Sequence, residues 1–156
     1  IYSWMTDENG NEIVKDYFPD LYNYCSGMKD LILGITPNGN FSATVSYGTK
    51  SSANMQYDYD SNGNLKGDAP PSLYFGSDQY AVCNNLTIAK GRDISQLDND
   101  RYNQICVLGA TAAKTFFGGV DPVGKSMQVN GQSFLVAGVY APRLKSDDEN
   151  ASGNTA

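Results

Sequence analysis

Histidine is absent from the 156 residues. Without an imidazole the chain lacks both the commonest general base and the commonest metal ligand near neutral pH. Cysteine is scarce: Cys25, Cys83 and Cys106 are odd in number, far apart and without zinc-ligand spacing. Cys106 reads as a small buried thiol, and a bridge between Cys25 and Cys83 stays open. Basic residues are outnumbered, 11 Lys and Arg against 17 Asp and Glu, for a formal charge of −6. Such a chain has no basic footprint for nucleic acid or an anionic membrane face. Long apolar runs are missing too. The longest, residues 134–141, is interrupted by Gly138 and falls far short of the roughly 20 residues that cross a bilayer. The N-terminus has neither the charged head nor the apolar stretch of a signal peptide. With the abrupt start at Ile1 and the polar end at Ala156, this is expected of a piece cut from a longer protein. No G-x-S-x-G turn occurs, and no spacing nominates a carboxylate, Lys or Tyr as a base, so a hydrolase is disfavoured. No catalytic, cofactor or metal residue is therefore expected.

What the chain does have is aromatic and glycine content: 11 Tyr, 6 Phe and 16 Gly. That excludes a disordered polar tail, and the length suits one domain with a modest core. Asn-Gly occurs at Asn9-Gly10, Asn38-Gly39, Asn62-Gly63 and Asn130-Gly131, each a turn signal. Two stretches imitate ligand sites. Gly119, Gly124, Lys125 and Ser126 match the phosphate-loop pattern GxxxxGK[ST]. That loop needs a strand before it and a helix after it, because the helix N-terminus and the loop amides hold the phosphate. Here a helix-like segment precedes and a strand follows, and Pro122 removes an amide, so a helix-to-strand turn is the better reading. Asp58, Asp60, Asn62 and Gly63 copy the front of a calcium loop. Its back half would place Lys66 and Ala69 where ligands are required, so a strand running into an Asn-Gly turn is favoured.

Along the chain, Asn9-Gly10 turns a first hairpin. Asp16 offers a helix cap, Pro19 fits a first turn, and Phe18, Leu21 and Cys25 share a helical face ending before Gly27. Residues 31–35 then read as a strand. Phe41, Ala43, Val45 and Tyr47 alternate with Ser42, Thr44 and Ser46. Ala53, Met55, Tyr57 and Tyr59 alternate with polar neighbours in the same way. This period of two predicts two half-buried antiparallel strands joined through residues 48–52. Residues 61–72, ending in Pro70-Pro71, read as an exposed connection. Ser77 or Asp78 caps a short helix through Cys83 that Asn84-Asn85 ends.

The chain is organised around residues 91–140. Gly91 suggests a positive φ after residues 86–90. Ile105, Cys106, Val107 and Leu108 form a buried strand ended by Gly109. Thr111 is the expected cap of a helix with Ala112, Ala113, Phe116 and Phe117 on its apolar side, stopped by Gly118-Gly119. Residues 127–129, Asn130-Gly131 and residues 134–140 predict a hairpin with a type I′ turn. Over residues 86–140 the chain resembles the extracytoplasmic core domain of MacB-like ABC transporter permeases, the FtsX/LolC/LolE superfamily. The Gly91-Arg92 pair, the strand Val107-Leu108-Gly109 and the helix end Phe116-Phe117 carry the resemblance. So do the turn Asp121, Pro122, Gly124, Lys125 and the strand Phe134, Val136, Gly138, Val139.

The resemblance implies an α+β fold of antiparallel strands and short helices. It implies one extracytoplasmic domain over residues 1–156, with a porter-like lobe at 13–85, a Sabre-like strand–helix–hairpin lobe at 86–145 and a mobile tail at 146–156. It further implies a membrane-embedded, dimeric parent, with this domain at the cell membrane on the extracytoplasmic side. A cytoplasmic ATP-binding subunit or domain would act on it indirectly, through transmembrane helices. An extracellular protein or peptide would be its partner, and nucleic acid would not. The domain would couple transmembrane movement to that partner or to a cargo, as mechanotransmission or export, without an active site. The alternative is a soluble cell-surface binding or adhesion module without a transporter, its Tyr-rich strands offering an aromatic face.

Overall fold

The computed structural model of the chain describes residues 2–143; the tail expected at 146–156 lies outside them. In chain order the elements are β1 (Tyr2–Thr6), β2 (Glu12–Asp16), α1 (Phe18–Ser26), β3 (Gly39–Phe41), β4 (Val45–Tyr47) and β5 (Lys50–Ser51). A 3-10 turn (Ser52–Asn54) leads to β6 (Tyr57–Tyr59), β7 (Leu65–Gly67), β8 (Leu73–Phe75) and α2 (Tyr80–Cys83). The second half holds β9 (Ile88–Gly91), α3 (Gln96–Asp100), β10 (Ile105–Leu108), α4 (Ala110–Phe117), β11 (Ser126–Val129) and β12 (Gln132–Tyr140). The fold is α+β, as expected.

The main sheet has six strands in the order β10-β12-β11-β4-β5, with β9 also on β12. Its spine is the hairpin β11–β12. Asn130 and Gly131 at its tip have φ of 49° and 79°, the double positive φ of a type I′ turn. Past the hairpin, β12 changes neighbours, taking β10 in parallel on one side and β9 antiparallel on the other. That is why residues 136–140 are all buried instead of alternating. Helix α4 packs on this sheet, and Val45, Leu108, Phe116, Phe117, Met127 and Val136 close the core. Met127 is 1 % exposed and Val136 0 %. The Tyr47 and Phe117 rings lie 4.0 Å apart. Among the described residues there are also three two-stranded sheets, β1–β2, β3–β8 and β6–β7.

Several expectations need correction. Residues 31–35 form no strand; Leu31 and Leu33 are 84 % and 93 % exposed, the amides of Leu31 and Ile32 donate to Met28 O, and that of Ile35 to Gln79 Oε1. The alternating stretch 41–47 is not one strand. Phe41 belongs to β3, paired with β8, while Val45 and Tyr47 belong to β4, in the main sheet. The break is fixed by the hairpin tip: the Asn130 amide donates to Thr44 O, and the Thr44 amide donates to Asn130 Oδ1, each at 2.8 Å. The second alternating stretch is broken as well. Ala53 sits in the 3-10 turn, Met55 packs on the core, and only Tyr57 to Tyr59 are strand. The connection 61–72 contains β7. Thr111 does not cap α4: the helix starts at Ala110 after Gly109, with no side-chain cap. Strands β4 and β5, drawn from residues 13–85, are hydrogen-bonded into the sheet built by residues 88–140. Neither Ser77 nor Asp78 caps α2: Gln79 holds the N-cap position, with no side-chain cap. Helix α1 ends at Ser26 before Gly27, with Asp16 Oδ1 accepting the Phe18 amide at 2.9 Å.

Candidate functional site

Where β9 leaves the sheet, Gly91 and Gly138 face each other across the β9–β12 ladder. A Cβ on Gly138 would lie 2.3 Å from Arg92 O, and one on Gly91 2.2 Å from Ala137 O. Gly91 also has φ of +70°, as its position before Arg92 suggested. The close crossing sets Arg92 toward α3. Its guanidinium grips Asp98 with two hydrogen bonds, Nη1 to Oδ2 at 2.6 Å and Nη2 to Oδ1 at 3.1 Å. Asp98 is 5 % exposed and also receives the Ser95 amide, the Ser95 hydroxyl and the Asn103 side-chain amide. Ser95 and Asp98 together form a reciprocal capping box at the start of α3. Arg92 foremost, then Ser95 and Asn103, hold the Asp98 carboxyl well below the usual carboxylate range. Next to this clasp the Tyr140 hydroxyl donates to Asp93 Oδ1 at 2.8 Å. Burial first, and that bond second, push the Tyr140 phenol above its ordinary value.

The clasp was legible only in part. The Gly91-Arg92 pair stands out in the sequence, whereas Asp98, Ser95 and Asn103 do not. The S-x-x-D spacing of Ser95 and Asp98 was the available signal.

The turn after α4 is where the phosphate-loop imitation falls. Gly118 ends α4 with φ of 63°. Asp121 Oδ1 accepts the Val123 amide at 3.1 Å, Gly124 turns at φ +80°, and Lys125 leads into β11. No helix follows, so no helix N-terminus faces the loop. The turn is tied down instead. The Gly124 amide donates to Val136 O, the Val136 amide to Lys125 O, and Lys90 on β9 lies 3.6 Å from Asp121. The calcium imitation is likewise spent on its own backbone. Asp60 accepts the amides of Asn62 and Asn64 and the Asn64 side chain, and Gly63 takes φ +79°. The turn at Asp7 to Asn11 repeats this arrangement around Asp7. Among the described residues no group of three or more His, Cys, Asp or Glu is placed to hold a metal ion.

The three thiols are free. Burial pushes the Cys106 thiol up to about 11, away from the reactive thiolate. In the first half, polar ties replace a core. The Tyr22 hydroxyl meets Asp78 at 3.1 Å, Gln79 donates to that hydroxyl at 3.1 Å and accepts the Ile35 amide at 2.7 Å, and Ser77 donates to Ile35 O. What remains open to partners is apolar surface: Leu31, Leu33, Tyr57, Tyr59, Leu65, and Tyr102, which is 91 % exposed at φ 52°. No helix among the described residues is long and apolar enough to cross a membrane.

Comparison with known proteins places this geometry. Residues 27–155 match the family described as the MacB-like periplasmic core domain. The macrolide export ATP-binding/permease protein MacB of Aggregatibacter actinomycetemcomitans is 32% identical over 110 residues, 70% of this chain and 15% of that protein. Its namesake in Azoarcus sp. (strain BH72) is 42% identical over 64 residues, 41% of this chain and 10% of that protein. The chain therefore spans a small fraction of these relatives. The crystal structure of the periplasmic region of MacB from Actinobacillus actinomycetemcomitans superposes with TM-score 0.60 at 24% identity, over 88% of this chain and 57% of that one. The extracellular domain of the noncanonic ABC-type transporter YknZ superposes with TM-score 0.55 at 16% identity, over 90% of this chain and 66% of that one. At these identities the two superpositions speak for the fold alone. The match over residues 27–155 goes further, and on it the chain belongs to the MacB-like periplasmic core domain family.

Proposed function

We propose that the chain is the extracytoplasmic domain of an ABC-type permease and passes movement of transmembrane helices to a partner or cargo outside the membrane. The observation that carries this reading is the family match joined to the clasp. Asp98, a buried acid at the start of α3, is engaged by Arg92 just after β9 and by Asn103 just before β10. A stiff element of that kind moves as a unit and can occupy two positions, as coupling requires. Reactive chemistry is not its role in this proposal, which assigns the domain no catalytic, cofactor or metal residue. Nucleotide hydrolysis belongs to a cytoplasmic ATP-binding subunit or domain of a dimeric, membrane-embedded parent; the relatives named above are ATP-binding/permease proteins. Residues 1–156 act as one domain, a porter-like lobe at 13–85 and a Sabre-like lobe at 86–145, with β4 and β5 lent by the first lobe to the sheet of the second. The partner is an extracellular protein or peptide.

Topology tests the reading. A cysteine placed at Tyr102 in the parent should react with a membrane-impermeant maleimide in cells whose inner membrane is intact. Labelling only after that membrane is opened would put the domain on the wrong side.

A further inference from the structure

The hairpin β6–β7 leaves the molecule between Met55 and Leu73, both of which pack on the core. From 56 to 68 every residue is exposed except half-buried Asp60. Its two strands pair only with each other, so the outer edge of each offers unpaired backbone groups. The register sets Tyr57 opposite Gly67, Asp58 opposite Lys66 and Tyr59 opposite Leu65. Period two therefore gathers Tyr57, Tyr59 and Leu65 on one face and the Asp58–Lys66 pair on the other. A lone hairpin is marginal in water, and here Tyr57, Tyr59 and Leu65 are 50 %, 60 % and 49 % exposed. The two Tyr rings stand perpendicular, 6.1 Å apart. Gly67 carries no side chain opposite Tyr57, and none fits there, since a Cβ would lie 2.3 Å from Gln56 O. The result is a shallow depression lined by Met55, Gln56, Tyr57, Asp58, Lys66 and Gly67.

We propose that this arm docks an extended, Lys- and Arg-rich stretch of a protein or peptide partner. The arm carries Asp58, Asp60 and Asp68 against Lys66, so it is net negative on a chain of formal charge −6. A cationic side chain lays its apolar stem in the slot beside Tyr57 and its charge over a Tyr ring. The open strand edge takes the partner's backbone as an added strand, which is why the partner is extended. The inference names a partner class for the proposed function. It relies on that reading only for the arm facing outside the membrane, so binding to the isolated chain succeeds or fails independently of it.

The test titrates the 156-residue chain into a fluorescent short peptide alternating Lys and Val, read by anisotropy, with a Glu–Val peptide and a neutral oligosaccharide as competitors. Saturable binding that weakens with salt, competition by neither alternative, and loss of about tenfold in affinity in the Tyr57→Ala, Tyr59→Ala double variant are expected. Asp68→Asn should flatten the salt dependence without touching the rings. Thermal melts of the variants should match the parent chain, since the arm lies off the core. Failure of the Lys–Val peptide to bind, equal binding of the Glu–Val peptide, displacement by the sugar, or undiminished binding by the folded double variant would each overturn the proposal.

Discussion

A single carbon decides whether β9 can cross β12. Gly138 is surrounded by backbone, with Arg92 O and Lys90 O within 2.3 and 2.9 Å of an added Cβ, and backbone has little freedom to yield. Gly138→Ala is expected to cost about 2 kcal/mol or more and to lower the melting temperature of the chain. Asp98 acts through its charge. Its folded-state pKa lies below the unfolded value of about 3.9, so the stability it adds is present above about pH 4 and is lost as pH falls from there. Asp7, held chiefly by the Asn11 side chain, and Asp60, held chiefly by the Asn64 amide, are shifted in the same direction on the surface. Asp98→Asn should lower the melting temperature at pH 7 and flatten its fall below about pH 4, measured by circular dichroism. An unchanged acid slope would assign the effect to other carboxylates. The sequence exposed Gly91, Arg92 and Gly138 but not Asp98. Arg92 and Asp98 are six residues apart, and their meeting depends on the bend of residues 93–95, which no periodicity announces.

At the scale of elements, local chemistry predicted well wherever one residue dictates a backbone angle. The Asn130-Gly131 tip and the Gly118 stop of α4 follow from that, whereas Gly27 after α1 has φ −78°, which any residue adopts. It predicted poorly where pairing is a choice among distant partners. Residues 41–47 alternate cleanly, yet the chain leaves β8 at Phe41 and joins β11 at Val45 because the far-off Asn130 clamps Thr44 between them. Alternation states which side chains share a face, not which strand lies alongside. Residues 31–35 are apolar enough for a strand, but no neighbour offers them a ladder. Helix α4 is the element whose packing joins the halves, since Phe117 stacks on Tyr47 of β4 and Phe116 lies in the core beside it. Phe117→Ala should cost about 3–5 kcal/mol and make urea unfolding of the whole sheet earlier, because it opens a cavity between helix and β4. Unfolding at unchanged urea concentration would mean that α4 is not the link between them.

The whole molecule is unevenly built. Residues 88–140 carry most of the core and the clasp, while the first half depends on two-stranded sheets and on the polar ties of Tyr22, Ser77 and Gln79. Stability is therefore concentrated in the part that the proposed function asks to move as one body, and softness in the part that offers apolar surface. The most direct measurement of that division is made in the parent permease. Residues 91–140 are replaced by a short Gly-Ser linker, and ATP hydrolysis and export are followed side by side. Continued hydrolysis with export lost is the result expected of a domain that transmits movement. Export per ATP hydrolysed equal to that of the unaltered permease would contradict it.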